Sequence, residues 1–128
     1  MFGLRMARQY LDEILSGEKT FDARCYDTDK RGTIALIDTS SKKILGLVDL
    51  VGTRRISEEE YCGWHATGKW AGMRLELRDE FKKEAYFAYD FANPRRVSWN
   101  GKAHPKPHER VWVDLGDIDL AVQGSIFD

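Results

Sequence analysis

The stretch GEKTFDAR, residues 17–24, carries the densest set of chemically useful side chains in the chain. Gly17 follows an apolar-periodic run, so it stands where a helix commonly ends in the left-handed conformation that glycine adopts without steric cost. In the strand that follows, alternation sends Asp22 and Arg24 to the same face. Lys19 lies at the corner between helix and strand, outside that alternation, so its ammonium can reach the same space. The pattern therefore predicts a compact polar cleft built on Lys19, Asp22 and Arg24.

The length and charge of the chain set its class. It has 128 residues, and 20 Lys and Arg against 21 Asp and Glu leave a formal net charge of -1. A chain of this length buries roughly two-thirds of its unfolded surface, which is enough for one domain without metal or disulfide support. Because the net charge is close to zero, the chain as a whole does not attract nucleic acid, so any such binding must use a local patch of positive charge. Two cysteines, with no secretory segment and no long apolar run, predict a cytoplasmic protein that does not enter a membrane.

Hydrophobic periodicity and turn residues predict an α+β fold. The expected elements are strands over 2–6, 20–26, 33–37, 44–51, 85–91 and 110–115, a helix over 7–16, and a short helix from the Ser57 capping box toward Trp64 or His65. Asn93-Pro94 is expected to turn the chain out of its aromatic strand, and 110–115 is expected to be the last strand. Strands at both ends of the chain favour a small, mostly antiparallel β-barrel with about two flanking helices.

The segment 95–110 concentrates positive charge, with five Lys or Arg, two His and one acid. Cations beside aromatic rings are what single-stranded nucleic acid requires, because phosphates bind the cations and bases stack on the rings. The side chains predicted to contact such a ligand are Trp70, Arg95, Arg96, Trp99, Lys102, Lys106 and Arg110. The alternative interpretation is a solvated loop whose charge is neutralised by the acidic tail.

The motif also resembles the Gly-x-Lys-x-x-Glu-x-Arg signature of the ASCH domain family, a branch of the PUA-like β-barrels. Gly17, Lys19 and Arg24 match the signature, while Asp22 stands where the family usually has Glu. An aromatic strand followed by Asn-Pro and basic residues, then a terminal strand with Trp, is again similar to ASCH domains. The resemblance covers residues 4–115, which we expect to form the core of a single domain with an acidic tail over 116–128.

The resemblance implies binding of RNA or of a nucleotide-like small molecule in the cleft of Lys19, Asp22 and Arg24. Because Asp is one methylene shorter than Glu, the Asp22 carboxylate reaches less far toward a ligand, whereas an Arg24-orienting role is retained. Without the resemblance, the alternative interpretation of these three side chains is an exposed strand-edge ion pair worth about 0–1 kcal/mol.

Catalysis stays open as an alternative in the same cleft. Some ASCH-like proteins are ribonucleases, and an amidase branch acts on acylated cytidine with a Lys, a Thr and a Glu. In that branch a Thr occupies the place of Asp22, so the amidase triad is not present as such. Lys19 and Asp22 are the catalytic candidates for a ribonuclease or a modified-nucleoside hydrolase.

A third hypothesis is a module that binds another protein. The sequence does not determine the oligomeric state. Two ligand-like pairs, Cys62 with His65 and His104 with His108, lack true zinc spacing, so we expect no metal and no cofactor.

Overall fold

Seven strands and two helices form the part of the chain that the computed structural model describes, residues 1–65 and 82–122. Along the chain they are β1 (Phe2–Met6), α1 (Arg8–Leu15), β2 (Phe21–Arg24), β3 (Gly32–Asp38), β4 (Ile44–Ile56), α2 (Glu58–His65), β5 (Tyr86–Ser98), β6 (Trp112–Asp114) and β7 (Ala121–Val122). Both predicted helices are confirmed. The capping box is confirmed too, because Glu60 N donates to Ser57 Oγ at 3.1 Å. The predicted loop around Trp70 lies outside the described residues.

The strands form one mixed sheet in the order β2-β5-β4-β3-β1-β6, and β7 pairs with β5 beside that path. β1 runs parallel to β3, and the other pairs are antiparallel. Between β1 and β3 the chain passes through α1 and β2, a crossover of the kind that a parallel pair requires. The predicted mostly antiparallel barrel is therefore corrected to a mixed sheet. Within the described ranges β2 and β6, the two ends of the path, do not pair with each other, so the sheet is a half-barrel.

The corner that carries the motif has the predicted geometry. α1 ends at its C-cap Ser16, and Gly17 adopts a φ of +85°. The backbone N–H groups of Gly17 and Lys19 donate to carbonyls of α1 at 3.1 Å each, which satisfies acceptors that the helix end would otherwise leave open. The strand begins two positions after Lys19, at Phe21.

The long antiparallel pair of β4 and β5 contains a bulge at a position where the sequence is typical of a turn. Where Asn93 and Pro94 lie, β5 carries one residue more than the β4 segment opposite it. Asn93 adopts a φ of +51°, and its side-chain amide donates to Asp49 Oδ2 at 2.8 Å. Pro94 has no N–H to give to the ladder and is tolerated because it lies at a bulge. The predicted turn is therefore wrong, since β5 continues through it.

The chain after β6 also contributes to the sheet. β7 pairs antiparallel with the end of β5, so the prediction that 110–115 is the last strand is wrong. Ile118, Leu120 and Val122 alternate with exposed residues and pack against a core cluster that β3, β4 and β6 share. This period-two pattern was present in the sequence but was obscured by Asp117 and Asp119.

The larger core cluster positions the motif strand. Leu4, Leu11, Ile14, Trp64 and Tyr89 are each at most 1% exposed within it. α1 packs against β3 and β5, and α2 packs against β2 and β5. α2 therefore lies beside the motif strand β2, and α1 lies against β5, the strand that pairs with it.

Candidate functional site

A cavity of about 220 Å³ lies where β2 meets the two helices. Its polar and aromatic lining consists of Tyr10, Asp22, Arg24, Tyr26, Tyr61 and His65. The volume is several times the ~30 Å³ of a water molecule but below the ~300 Å³ at which pockets for drug-sized ligands begin. The cavity therefore suits a single ring-sized group.

Asp22 and Arg24 form an ion pair inside this cavity, as their shared strand face predicts. Arg24 Nε donates to Asp22 Oδ2 at 2.5 Å, and the Asp22 residue is only 3% exposed. The other carboxylate oxygen, Oδ1, accepts a hydrogen bond from Trp64 Nε1 at 3.2 Å. Both oxygens of Asp22 are thus engaged within the protein, which fits the Arg-orienting role expected for an aspartate at this position.

Arg24 also spans the open side of the half-barrel. Its Nη2 donates to the backbone oxygen of Arg5 in β1 at 2.8 Å, although β1 and β2 are not neighbours in the sheet. Burial by itself lowers the pKa of Arg24, but the charge of Asp22 and its hydrogen bond raise the pKa above the ordinary value. The guanidinium is therefore a fixed positive charge, held by one side chain and one distant strand.

Lys19 occupies a different place from the one that the motif suggested. Its Nζ lies over the Trp64 ring, 4.9 Å from the centroid, and Lys19 is not among the cavity-lining residues. Trp64 in turn donates to Asp22, so Lys19 contacts the ion pair through the indole. The described geometry brings Asp22 and Arg24 together in the cavity and places Lys19 on the outside of this group.

His65 is the cavity residue that sequence reasoning missed. Its ring makes edge contacts with Tyr10 and Tyr61, at centroid distances of 5.2 Å and 4.6 Å. Its Nε2 is buried and has no hydrogen-bond partner within the part of the chain described. Burial lowers the pKa of His65; Asp22 opposes this effect, and Arg24 adds to it. The imidazole is therefore neutral near pH 7, with one nitrogen that donates and one that accepts.

A signal for this residue was present in the capping-box helix. Tyr61 and His65 are four positions apart, a spacing that places two side chains on one face of a helix. Tyr10 fits the apolar period of α1, which is the pattern of a core residue, yet it is half-buried and lines the cavity. Half-buried Cys25 lines the cavity as well.

The basic segment 95–110 does not line the cavity. Arg95 Nη1 binds Asp49 Oδ1 at 3.0 Å, and Arg96 Nη1 lies 3.8 Å from Asp12 Oδ1. Trp99 is half-buried and packs against the smaller core cluster. The remaining predicted cations, which are exposed, are Lys102, Lys106 and Arg110. Near the end of the segment, Arg5 Nη1 donates to the backbone oxygen of Glu109 at 3.1 Å, which connects the segment to the residue whose backbone Arg24 binds.

Residues 1–65 and 82–122 contain neither a metal cluster nor a membrane-spanning helix. In these ranges no three His, Cys, Asp or Glu side chains are grouped so that they could hold a metal ion. None of the helices found there has the length and apolar character needed to cross a membrane.

The mixed half-barrel with two helices and a cavity on the motif strand is consistent with a PUA-like α+β domain. The family model for the ASCH domain matches residues 4–100. The chain therefore belongs to the ASCH domain family, as the motif predicted.

Crystal structures of an ASCH protein from Zymomonas mobilis are similar to this chain. A tyrosine-to-phenylalanine mutant aligns with a TM-score of 0.53 and 16% identity, covering 76% of this chain and 72% of that one. A serine-to-alanine mutant has the same TM-score of 0.53 and 16% identity, over 75% and 70% of the two chains. The unmutated protein aligns at 0.51 and 14% identity, over 75% and 69%. These identities show the fold alone, and no curated protein sequence matches significantly.

Proposed function

We propose that this ASCH domain protein binds RNA, or a nucleotide-like ligand, in the cavity beside β2. The observation that carries the proposal is the cavity lining: a fixed guanidinium and an unpaired imidazole nitrogen lie among three tyrosine rings. The ASCH family is usually associated with RNA binding, which supports the same conclusion.

The lining matches the two recognition features of a nucleobase. A base offers flat faces that stack on aromatic rings and an edge that carries hydrogen-bond donors and acceptors. Tyr10, Tyr26 and Tyr61 supply rings, and the free nitrogen of His65 supplies a polar group for the edge. A guanidinium has five N–H donors, and the bonds to Asp22 and Arg5 occupy two of them. The remaining donors of Arg24 can bind a base carbonyl or a phosphate.

The charge balance of the cavity favours a base over an isolated phosphate. Asp22 offsets Arg24, and His65 is neutral, so the cavity as a whole carries little net charge. The exposed Lys102, Lys106 and Arg110 are left to bind the backbone phosphates of a longer RNA. Affinity for a strand should therefore fall with salt, while affinity for a single nucleoside should change little.

The test is fluorescence anisotropy of a short labelled single-stranded RNA, titrated with the wild type and with His65→Phe. Phenylalanine keeps the ring and removes both nitrogens. We expect binding to weaken about two- to tenfold, the effect of losing one hydrogen bond. His104→Phe is the matched control, because His104 is exposed and does not line the cavity. A wild type that does not bind RNA, or a His65→Phe variant that binds as tightly as wild type, would overturn the proposal.

Hydrolysis in the same cleft requires Lys19 or Asp22 to reach a substrate. Both Asp22 oxygens already accept hydrogen bonds, and the Lys19 ammonium lies over Trp64, so binding is the function that this arrangement favours. A nuclease would yield shortened RNA on a denaturing gel, and Lys19→Ala would abolish the cleavage. A protein-interaction module would give neither cleavage nor salt-dependent RNA affinity.

A further inference from the structure

A second, larger cavity adjoins the first. It measures about 460 Å³ and is lined by residues 26–30 together with Trp112 of β6. Tyr26 lines both cavities, so the two spaces meet at a single tyrosine side chain. A ligand that occupies both cavities would have to lie beside Tyr26.

The second cavity is bordered by aromatic rings that hold a lysine ammonium. Lys30 Nζ lies 4.7 Å from the ring centroid of Phe2 and 5.1 Å from that of Trp112. Phe2 and Tyr26 are 41% and 40% exposed, which is high for aromatic side chains. The buried ring of Tyr89 stacks on Trp112, and its hydroxyl donates to the backbone oxygen of Tyr26 at 2.7 Å. Trp112 and the backbone of Tyr26 are therefore held in place, whereas Lys30 is a long, flexible side chain.

The Trp112 ring is a surface on which a base can stack, and the Lys30 ammonium lies over that ring. Lys30 and Trp112 are both half-buried, and the stacking of a nucleobase on an aromatic ring is comparable in strength with such a cation–π contact, so a base can compete with the Lys30 ammonium for Trp112. The displaced ammonium stays within reach of the cavity, where it can neutralise a phosphate. The nearby Asp27 and Asp29 carboxylates disfavour a phosphate beside them but can accept hydrogen bonds from a base amino group.

We propose that the second cavity binds the nucleotide adjacent to the one held in the first. The base of this second nucleotide stacks on Trp112, and Lys30 pairs with the phosphate that joins the two nucleotides. The inference rests on the proposed function and deepens it, because it makes the ligand a single strand of at least two nucleotides rather than a free nucleoside.

Calorimetric titration of the full chain tests the proposal with three kinds of probe. These are the four ribonucleoside monophosphates, each with a 5′- or a 3′-phosphate, the matching homodinucleotides, and dinucleotides in which one residue is abasic. We expect a dinucleotide to bind at least about fivefold more tightly than its best monophosphate, the lower end of what one stacked base contributes. The dinucleotide with one abasic residue that binds most tightly should lose most of this gain in affinity, because it retains the charge but lacks the second base.

Protein variants assign the gain to the second cavity. Trp112→Leu, which retains an apolar side chain, should remove the dinucleotide gain and leave monophosphate affinity unchanged. Lys30→Met provides an independent test if the tryptophan variant fails to fold. It should weaken dinucleotide binding severalfold and reduce its salt dependence, whereas Lys43→Met, in the exposed turn between β3 and β4, should do neither.

The outcomes separate this inference from the proposed function. Equal affinity for monophosphates and dinucleotides, or equal affinity for full and abasic dinucleotides, overturns the second site. If His65→Phe still weakens monophosphate binding in that case, the first cavity stands as a nucleotide site. If no nucleotide binds the wild type, both proposals fail.

Discussion

Replacing Asp22 with asparagine tests the ion pair on which the cavity depends. We expect Asp22→Asn to lower the free energy of unfolding by about 3 kcal/mol, because breaking a buried ion pair by removing one partner costs roughly 3–5 kcal/mol. The low end applies because the Arg24 side chain is 18% exposed and can regain some hydration. Asparagine keeps the shape of the side chain and one acceptor oxygen. Its NH₂ group replaces the second oxygen, so it can no longer accept hydrogen bonds from both Arg24 and Trp64, and the negative charge is lost.

The assay is urea denaturation followed by tryptophan fluorescence, with thermal melting as a second readout. A loss of ~3 kcal/mol corresponds to a melting temperature about 10 °C lower for a domain of this size. The urea midpoint should fall with an unchanged m-value, since the variant exposes the same surface on unfolding.

The matched control is Asp12→Asn in α1. Asp12 pairs with Arg8 at 3.0 Å, but these side chains are 44% and 56% exposed, so the cost should stay below ~1 kcal/mol. If Asp22→Asn costs no more than Asp12→Asn, Asp22 is not what holds Arg24 in place. The geometric argument for the cavity would then be refuted.

Three further predictions follow from the same contacts. Because burial lowers the pKa of His65 in the folded chain, stability should be highest above the ordinary pKa of ~6.5 and should fall as the pH drops through the lower folded pKa. The melting temperature of His65→Phe should therefore change less than that of the wild type between about pH 7.5 and pH 5. An equal pH dependence in the two proteins would contradict this. A thiol reagent should label half-buried Cys25 before buried Cys62, as measured by mass spectrometry, and bound nucleotide should slow the labelling of Cys25. If the nucleotide does not change the labelling rate of Cys25, the ligand binds outside the cavity. Asn93→Ala should cost about 1–2 kcal/mol in urea denaturation through the positive φ, and Asn93→Gly should cost less than alanine; the reverse order would be inconsistent with the bulge.

Local signals predicted the elements around the motif correctly. The end of α1 at Gly17, the β3–β4 hairpin and the Ser57 capping box all depend on residues within a few positions of each other. Such local preferences of backbone and side chain are largely independent of the rest of the fold. The pairing of Asp22 with Arg24 was predictable for the same reason, because strand alternation alone puts the two on one face.

Long-range contacts were not predictable in this way. The parallel pairing of β1 with β3 and the late strand β7 depend on where distant segments meet. The Asn93-Pro94 pair has the composition of a turn, and only the register of the opposite strand makes it a bulge. A short apolar strand has the same period whichever neighbour it pairs with, so its direction and partner are absent from the local pattern.

The sequence by itself determined the ASCH family, the helix-to-strand corner and the acid–base pair of the motif, since each is encoded within a short run of residues. Only the tertiary structure decided what surrounds that pair. Lys19 lies over Trp64 because α2 packs against β2, and His65 and Tyr61 reach the cavity for the same reason. Arg24 binds Arg5 because the short strand β6 pairs with β1 only as far as Leu4, which leaves the backbone of Arg5 within reach of β2. A cavity is formed by side chains that are far apart in sequence, so its lining emerges only from the packing of whole elements.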